Sequence, residues 1–196
     1  MRWIIGILLS TGVVLGQTGV YTFTGTASGT IGGTPFTDAT LTVTSTGDAS
    51  NVSCTSGTCF LNLAAGASSF TISGIGSGTF SSASYVFDNQ GNGLAGFGIG
   101  SDDIQIYDSS IGSTAFASYN LLSSIGPLGP EATDPSTSDW VNLSTSLGSF
   151  TVTSFTNVTF QATANLPRTP VPGSLVLLGL GLTCLLAWQL RAQLAA

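Results

Sequence analysis

An all-β fold, an antiparallel β-sandwich or jelly-roll-like domain, is what this sequence predicts, and three observations carry the prediction. Five runs place apolar or aromatic side chains at every second position with Thr or Ser between them, the pattern of strands with one buried and one wet face. Ser, Thr and Gly fill the polar positions, while the charged residues that commonly cover helices make up only 6% of the chain. Turn-forming clusters then punctuate the runs at intervals typical of antiparallel sandwiches.

In chain order the runs are YTFTGT (Tyr21–Thr26), ATLTVTS (Ala39–Ser45), SFTIS (Ser69–Ser73), SFTVTSF (Ser149–Phe155) and VTFQATA (Val158–Ala164). Turns are expected at Gly32-Gly33, Gly47-Asp48, Asn89 to Gly93 and Gly126 to Pro130. About ten strands are expected in all. The segment Ser123 to Asp139 carries three prolines and no periodicity, so it is read as a loop, either a site of function or disordered, with disorder the favoured reading.

All nine acids lie between Asp38 and Asp139, whereas the three basic residues are Arg2, Arg168 and Arg191, and there is no Lys or His. A domain this short of cations has no patch that could neutralise phosphates, which excludes nucleic acid as a partner. Anionic lipid headgroups are excluded on the same ground.

The two ends are apolar. MRWIIGILLSTGVVLGQ has one positive residue, a hydrophobic run from Trp3 to Leu15 and a small residue at Gly16, the layout of a secretory signal peptide cut between Gly16 and Gln17. Near the C-terminus, residues 175–190 (Leu175, Leu178, Leu182 and Leu190 among them) would form a helix about 24 Å long, close to the span of a hydrocarbon core. Arg191 follows and can snorkel to the headgroups. With Arg2 and Arg191 on the cytoplasmic side, everything between them lies outside. Pro167, Pro170 and Pro172 keep that helix from running back and make a stiff spacer. The expected organisation is therefore a signal helix at 1–16, an exported β-rich domain at 17–166 and a membrane-anchoring segment at 167–196 with its transmembrane helix about 175–190.

This tail resembles the PEP-CTERM sorting signal of bacterial exported proteins. The Pro-containing motif Val171-Pro172-Gly173-Ser174, the helix opening LVLLGLGL (Leu175 to Leu182) and the terminal Arg191 carry the likeness. The usual motif is Val-Pro-Glu-Pro followed by small residues; here the Glu-Pro pair is missing and the small residues remain. Phe23 to Asn51 also resembles opening segments of PEP-CTERM protein bodies. The resemblance implies recognition by an exosortase, a membrane cysteine peptidase-transpeptidase, in a bacterium that makes exopolysaccharide or biofilm matrix.

Within the domain, Cys54-Thr-Ser-Gly-Thr-Cys59 joins two short apolar runs. Opposed positions of a hairpin can meet disulfide geometry, and export favours oxidation, so a Cys54–Cys59 bond is expected. A redox pair would normally have two intervening residues, and a metal half-site would lack its other half. Cys184 is left unpaired in the tail helix. Asp88-Asn-Gln-Gly-Asn-Gly93 begins like an EF-hand loop, but Ile99 stands where the bidentate carboxylate belongs, so a tight turn is expected. Asp102, Asp103 and Asp108 are acids that could help hold calcium, but neighbours in a strand point to opposite faces, so no metal and no cofactor is assigned. Trp140 and Tyr119 are candidates for stacking on sugars, with burial in the core the favoured reading. Asn51, Asn142 and Asn157 open Asn-x-Ser/Thr sequons, a pattern usually due to chance in bacteria.

With neither His nor Lys, a serine nucleophile has no usual base, and no nucleophile-elbow motif occurs. The sequence thus points to a non-enzymatic cell-surface or extracellular-matrix protein, membrane-anchored, handled by an exosortase and associated with exopolysaccharide. The alternative is a carbohydrate-binding or calcium-dependent lectin-like module.

Overall fold

The computed structural model describes residues 17–133 and 140–165. These fall in the compact unit that spans Gly16–Leu166. They build twelve strands in two antiparallel sheets, with one single-turn helix and two 3-10 turns.

The first sheet is framed by three long strands, β1 (Thr18–Ile31), β2 (Thr34–Asp48) and β12 (Gly148–Asn165). Tyr21, Phe23, Ala27 and Ile31 on β1 all turn to the core, while the Thr residues between them stay on the wetter face. The hairpin between β1 and β2 closes on Gly32 and Gly33, with φ of 55° and 82°; two left-handed residues in succession suit glycine and match the twist of the flanking strands. β12 pairs along the other edge of β1, so the two separate runs expected at Ser149–Phe155 and Val158–Ala164 are one continuous strand. Register shifts in the β1–β12 ladder between Thr24 and Thr26, and between Ser28 and Gly29, bend it without ending it. Beyond β2 lie β5 (Ser68–Ile72) and β6 (Gly76–Thr79), and the short β11 (Leu143–Thr145) pairs with β12.

The last strand of this sheet, β10 (Ile125–Thr133), corrects an expectation: most of the segment read as a disordered loop is an edge strand on β12. Ile125, Leu128 and Glu131 face Ala162, Phe160 and Val158, so β10 advances three residues for every two of its partner. The Gly-Pro pairs supply the extra residues, and both Gly126-Pro127 and Gly129-Pro130 are cis. A Cβ at Gly126 would sit 2.5 Å from the Phe160 carbonyl oxygen, and one at Gly129 would sit 2.6 Å from that of Val158, so only glycine lets the backbones approach. Residues 134–139 of the same segment lie outside the described residues.

The second sheet runs β3 (Ser53–Thr55), β4 (Thr58–Leu63), β7 (Ser84–Asn89), β8 (Leu94–Ile99) and β9 (Asp102–Tyr107). Its inner face carries Leu61, Val86, Phe97, Ile104 and Ile106, all buried in one hydrophobic cluster with the inner residues of the first sheet. Phe80 is central to that cluster. Its ring lies 5.2 Å from that of Phe70, 5.5 Å from Phe97 and 5.8 Å from Trp140, so it joins a strand of each sheet. A second, polar tie crosses the same interior. The hydroxyls of Ser45 on β2, Ser68 on β5 and Ser84 on β7 form a buried chain with steps of 2.8 and 2.7 Å.

Gly47-Asp48, expected as a turn, closes β2, and the 3-10 turn Ala49–Asn51 follows, capped by the Asp48 carboxylate through the Ser50 amide at 2.9 Å. No helix among the described residues is long and apolar enough to cross a membrane. The signal helix with its cleavage position at Gly16, the motif Val171 to Ser174, the span from Leu175 to Leu190, Arg191 and Cys184 all lie outside the described residues.

Candidate functional site

Three places in the domain bear on function: the cysteine hairpin, one face of the second sheet, and a buried acidic cluster. Cys54 and Cys59 are directly opposed on β3 and β4 and are bonded to each other, as the spacing predicts. Cys59 is buried and Cys54 exposed, so the bond fastens the outermost short strand to the body of the sheet.

On the outer face of the second sheet the register sets residues in rows. One row is Asn62, Tyr85, Gly98 and Asp103; the next is Phe60, Phe87, Gly96 and Gln105. The glycines are covered by aromatic rings: a Cβ at Gly96 would meet the Phe87 ring at 2.3 Å, and one at Gly98 would meet the Tyr85 ring at 2.2 Å. Phe60 packs on both rings, with centroids 6.0 Å from Phe87 and 6.1 Å from Tyr85, yet stays 40% exposed. Beside this aromatic strip the Gln105 amide donates to both oxygens of Asp103 at 2.9 Å.

The acidic cluster lies at the inner face of the same sheet. Strand alternation places Asp88 in the inward row Cys59, Asp88, Ala95, Ile106, where its carboxylate is wholly buried. Asp108 follows β9 and opens the single helical turn α1 (Asp108–Ile111). Its amide donates to the Gly93 carbonyl at 2.7 Å, and its Oδ2 accepts from the amides of Phe116 and Ala117 at 2.9 and 3.2 Å. Asp108 thereby caps the 3-10 turn Phe116–Ser118, which delivers Tyr119 to the cluster.

Four buried oxygens here have no hydrogen-bond partner among the described residues: both carboxylate oxygens of Asp88, Oδ1 of Asp108 and the Tyr119 hydroxyl. Burial, and then the nearby Asp108 charge, push the Asp88 carboxyl up to about 8. The Tyr119 phenol is raised above its ordinary value by burial first, then by Tyr21 and by Asp88. Tyr21 is raised by burial to about 12, and its hydroxyl donates to the Leu121 carbonyl at 2.7 Å. Arg2, Arg168 and Arg191 all lie outside the described residues, and the sequence from 17 to 166 holds no Lys, Arg or His. The buried carboxylates therefore have no cationic side chain of this domain to pair with.

Among the residues singled out from the sequence, Asp88 and Asn89 end β7 and Gln90 to Gly93 form the tight turn to β8, with the Asn92 amide donating to the Asn89 side chain at 3.1 Å. Asp103 lies on the outer face of the second sheet and Asp108, beyond the end of β9, is buried, while the side chain of Asp102 lies outside the described residues. Trp140 and Tyr119 are 1% and 3% exposed, which places both rings in the core and removes them as sugar-stacking platforms. Asn51, Asn142 and Asn157 are all exposed. Gln17 begins the described domain, and its carbonyl accepts from the Ala49 amide at 2.6 Å. Sequence reasoning missed that Asp88 and Asp108 are both buried. The signal available was an acid at an inward-facing strand position in a domain without cations. Comparison with protein-family models, curated proteins and solved structures finds no match.

Proposed function

We propose that this chain is an exported, non-enzymatic protein of the cell surface or extracellular matrix, held at the membrane by its C-terminal segment and handled there by an exosortase. The Cys54–Cys59 bond is the observation that carries the reading, because such a bond persists in oxidising compartments outside the cytoplasm. The signal-like N-terminus and the PEP-CTERM-like tail from Val171 to Arg191 supply the route and the anchor. The two sheets are read as a β-sandwich. A jelly roll passes successive strands between its sheets, whereas here β7, β8 and β9 follow one another in a single sheet. The test is the N-terminus of protein recovered from cells: a start near Gln17 supports export, and an intact Met1 on the exported form contradicts it.

One observation favours a second reading, binding of matrix polysaccharide. The outer face carries the strip of Phe60, Tyr85 and Phe87 beside Asn62, Asp103 and Gln105. Apolar rings next to amides and a carboxylate suit the faces and hydroxyls of sugars. Polysaccharide retention lost in Tyr85→Ala and kept in a variant of the opposite sheet, Thr153→Ala, supports it. Equal retention by both contradicts it.

A further inference from the structure

We propose that Asp88, Asp108 and Tyr119 form a calcium site inside the exported domain, a conclusion independent of the tail and of polysaccharide binding. The reasoning begins with charge. Two carboxylates are buried together, and the domain has no cationic side chain with which to balance them. Burying an ionised carboxylate without compensation is costly, so either a proton or a cation from solution must supply the missing charge.

The donor chemistry selects between these. A proton satisfies one oxygen, yet four buried oxygens here lack a partner among the described residues. Asp88 offers both of its oxygens, Asp108 offers the one not engaged by the Phe116 and Ala117 amides, and Tyr119 offers a neutral hydroxyl. All are hard oxygen donors. Such a set suits calcium, which takes oxygen ligands in irregular number and accepts bidentate carboxylates. Magnesium gives up its water shell reluctantly and fits a dry interior less well. Zinc would want nitrogen or sulfur, and Cys54 and Cys59 are already committed to each other.

No three His, Cys, Asp or Glu side chains gather into a metal-holding group among the described residues, so this is a two-carboxylate site completed by neutral oxygens. Tyr119 is the independent indication. It is 3% exposed, its hydroxyl has no partner among the described residues, and its backbone is tied to the β7–β8 turn that follows Asp88. Its position is fixed from both sides, by the Gln90 amide donating to its carbonyl at 2.7 Å and by its ring against Phe160. A bound ion would link the β7–β8 turn, the end of β9 and the segment that leads to β10.

The test is thermal unfolding and calorimetric titration of the full-length protein in detergent, with EGTA, calcium chloride or magnesium chloride. Calcium should raise the midpoint by about 5 °C or more at saturation, with one site per chain, and magnesium should not match it. Asp88→Asn should lose the calcium shift and unfold at a higher temperature than wild type in EGTA, because the buried amide carries no charge and needs no proton to neutralise it. Asp103→Asn, which alters an acid on the outer face, should keep the shift. Tyr119→Phe should weaken binding several-fold, and supports the site even where Asp88→Asn does not fold. A wild type indifferent to calcium, a shift that magnesium equals, or a shift that survives in Asp88→Asn would overturn the proposal.

Discussion

Cys54 and Cys59 stand directly opposite each other on β3 and β4 and are covalently joined, the sole covalent link between strands among the described residues. The ring that they close is short, with a sequence separation of 5, so constraining the unfolded chain stabilises by only about 2 kcal/mol. Protein alkylated before reduction should carry no label at either position. The variant Cys54→Ser/Cys59→Ser should still fold, with its denaturant midpoint lowered by a corresponding amount.

Ser68 sits in the middle of the buried hydroxyl chain, bonded to Ser45 on one side and Ser84 on the other. Ser68→Ala leaves two buried hydroxyls to find new partners and should cost about 1–3 kcal/mol in urea denaturation. Ser69→Ala, its half-buried neighbour on the other face, should cost less. Equal losses would show that the relay does not couple the sheets.

Glu131 supplies a test in pH. Burial raises its carboxyl above the ordinary value of 4.5, against the opposing bonds from the Tyr107 amide and the Ser110 side chain. The folded state therefore holds this proton more tightly than the unfolded chain. Its contribution is fully present below the unfolded value and is lost as pH rises through the folded one. Glu131→Gln removes that dependence, so the variant should gain on wild type between pH 4 and pH 7. Urea denaturation at both values measures it, and a constant difference would contradict the assignment.

How far the sequence discloses this domain depends on period. Where strands bury one face, as in β1, β2 and β12, the Thr-apolar alternation locates them, although Gly25 and the register shift near Ala27 hide how long β1 is. β8 is harder to find, because its outer positions are Gly96 and Gly98, covered by rings from β7, and its six residues are all buried. β10 escapes altogether, since it repeats every three residues where a strand search expects two. The disulfide is legible from the Cys54 and Cys59 spacing because a hairpin is a local structure. The acidic cluster is not, because Asp88, Asp108 and Tyr119 lie on separate elements that are gathered about the β7–β8 turn only in the folded domain, through the Asp108 amide on Gly93 and the Gln90 side chain on Tyr119.

Location of the full-length protein and of a tail variant tests the central proposal, an exported β-domain held by a C-terminal helix. Leu178→Asp/Leu182→Asp sets two charges near the bilayer centre, at about 2.5 to 3.5 kcal/mol each on insertion scales, enough to offset a helix of marginal length. Fractionation should find wild type either in the membrane with its tail or exported without it, and the variant in a soluble exported pool with the Cys54–Cys59 bond intact. Full-length protein that keeps its tail and remains free in the cytoplasm, with both thiols reduced, would contradict the anchor and the surface role together.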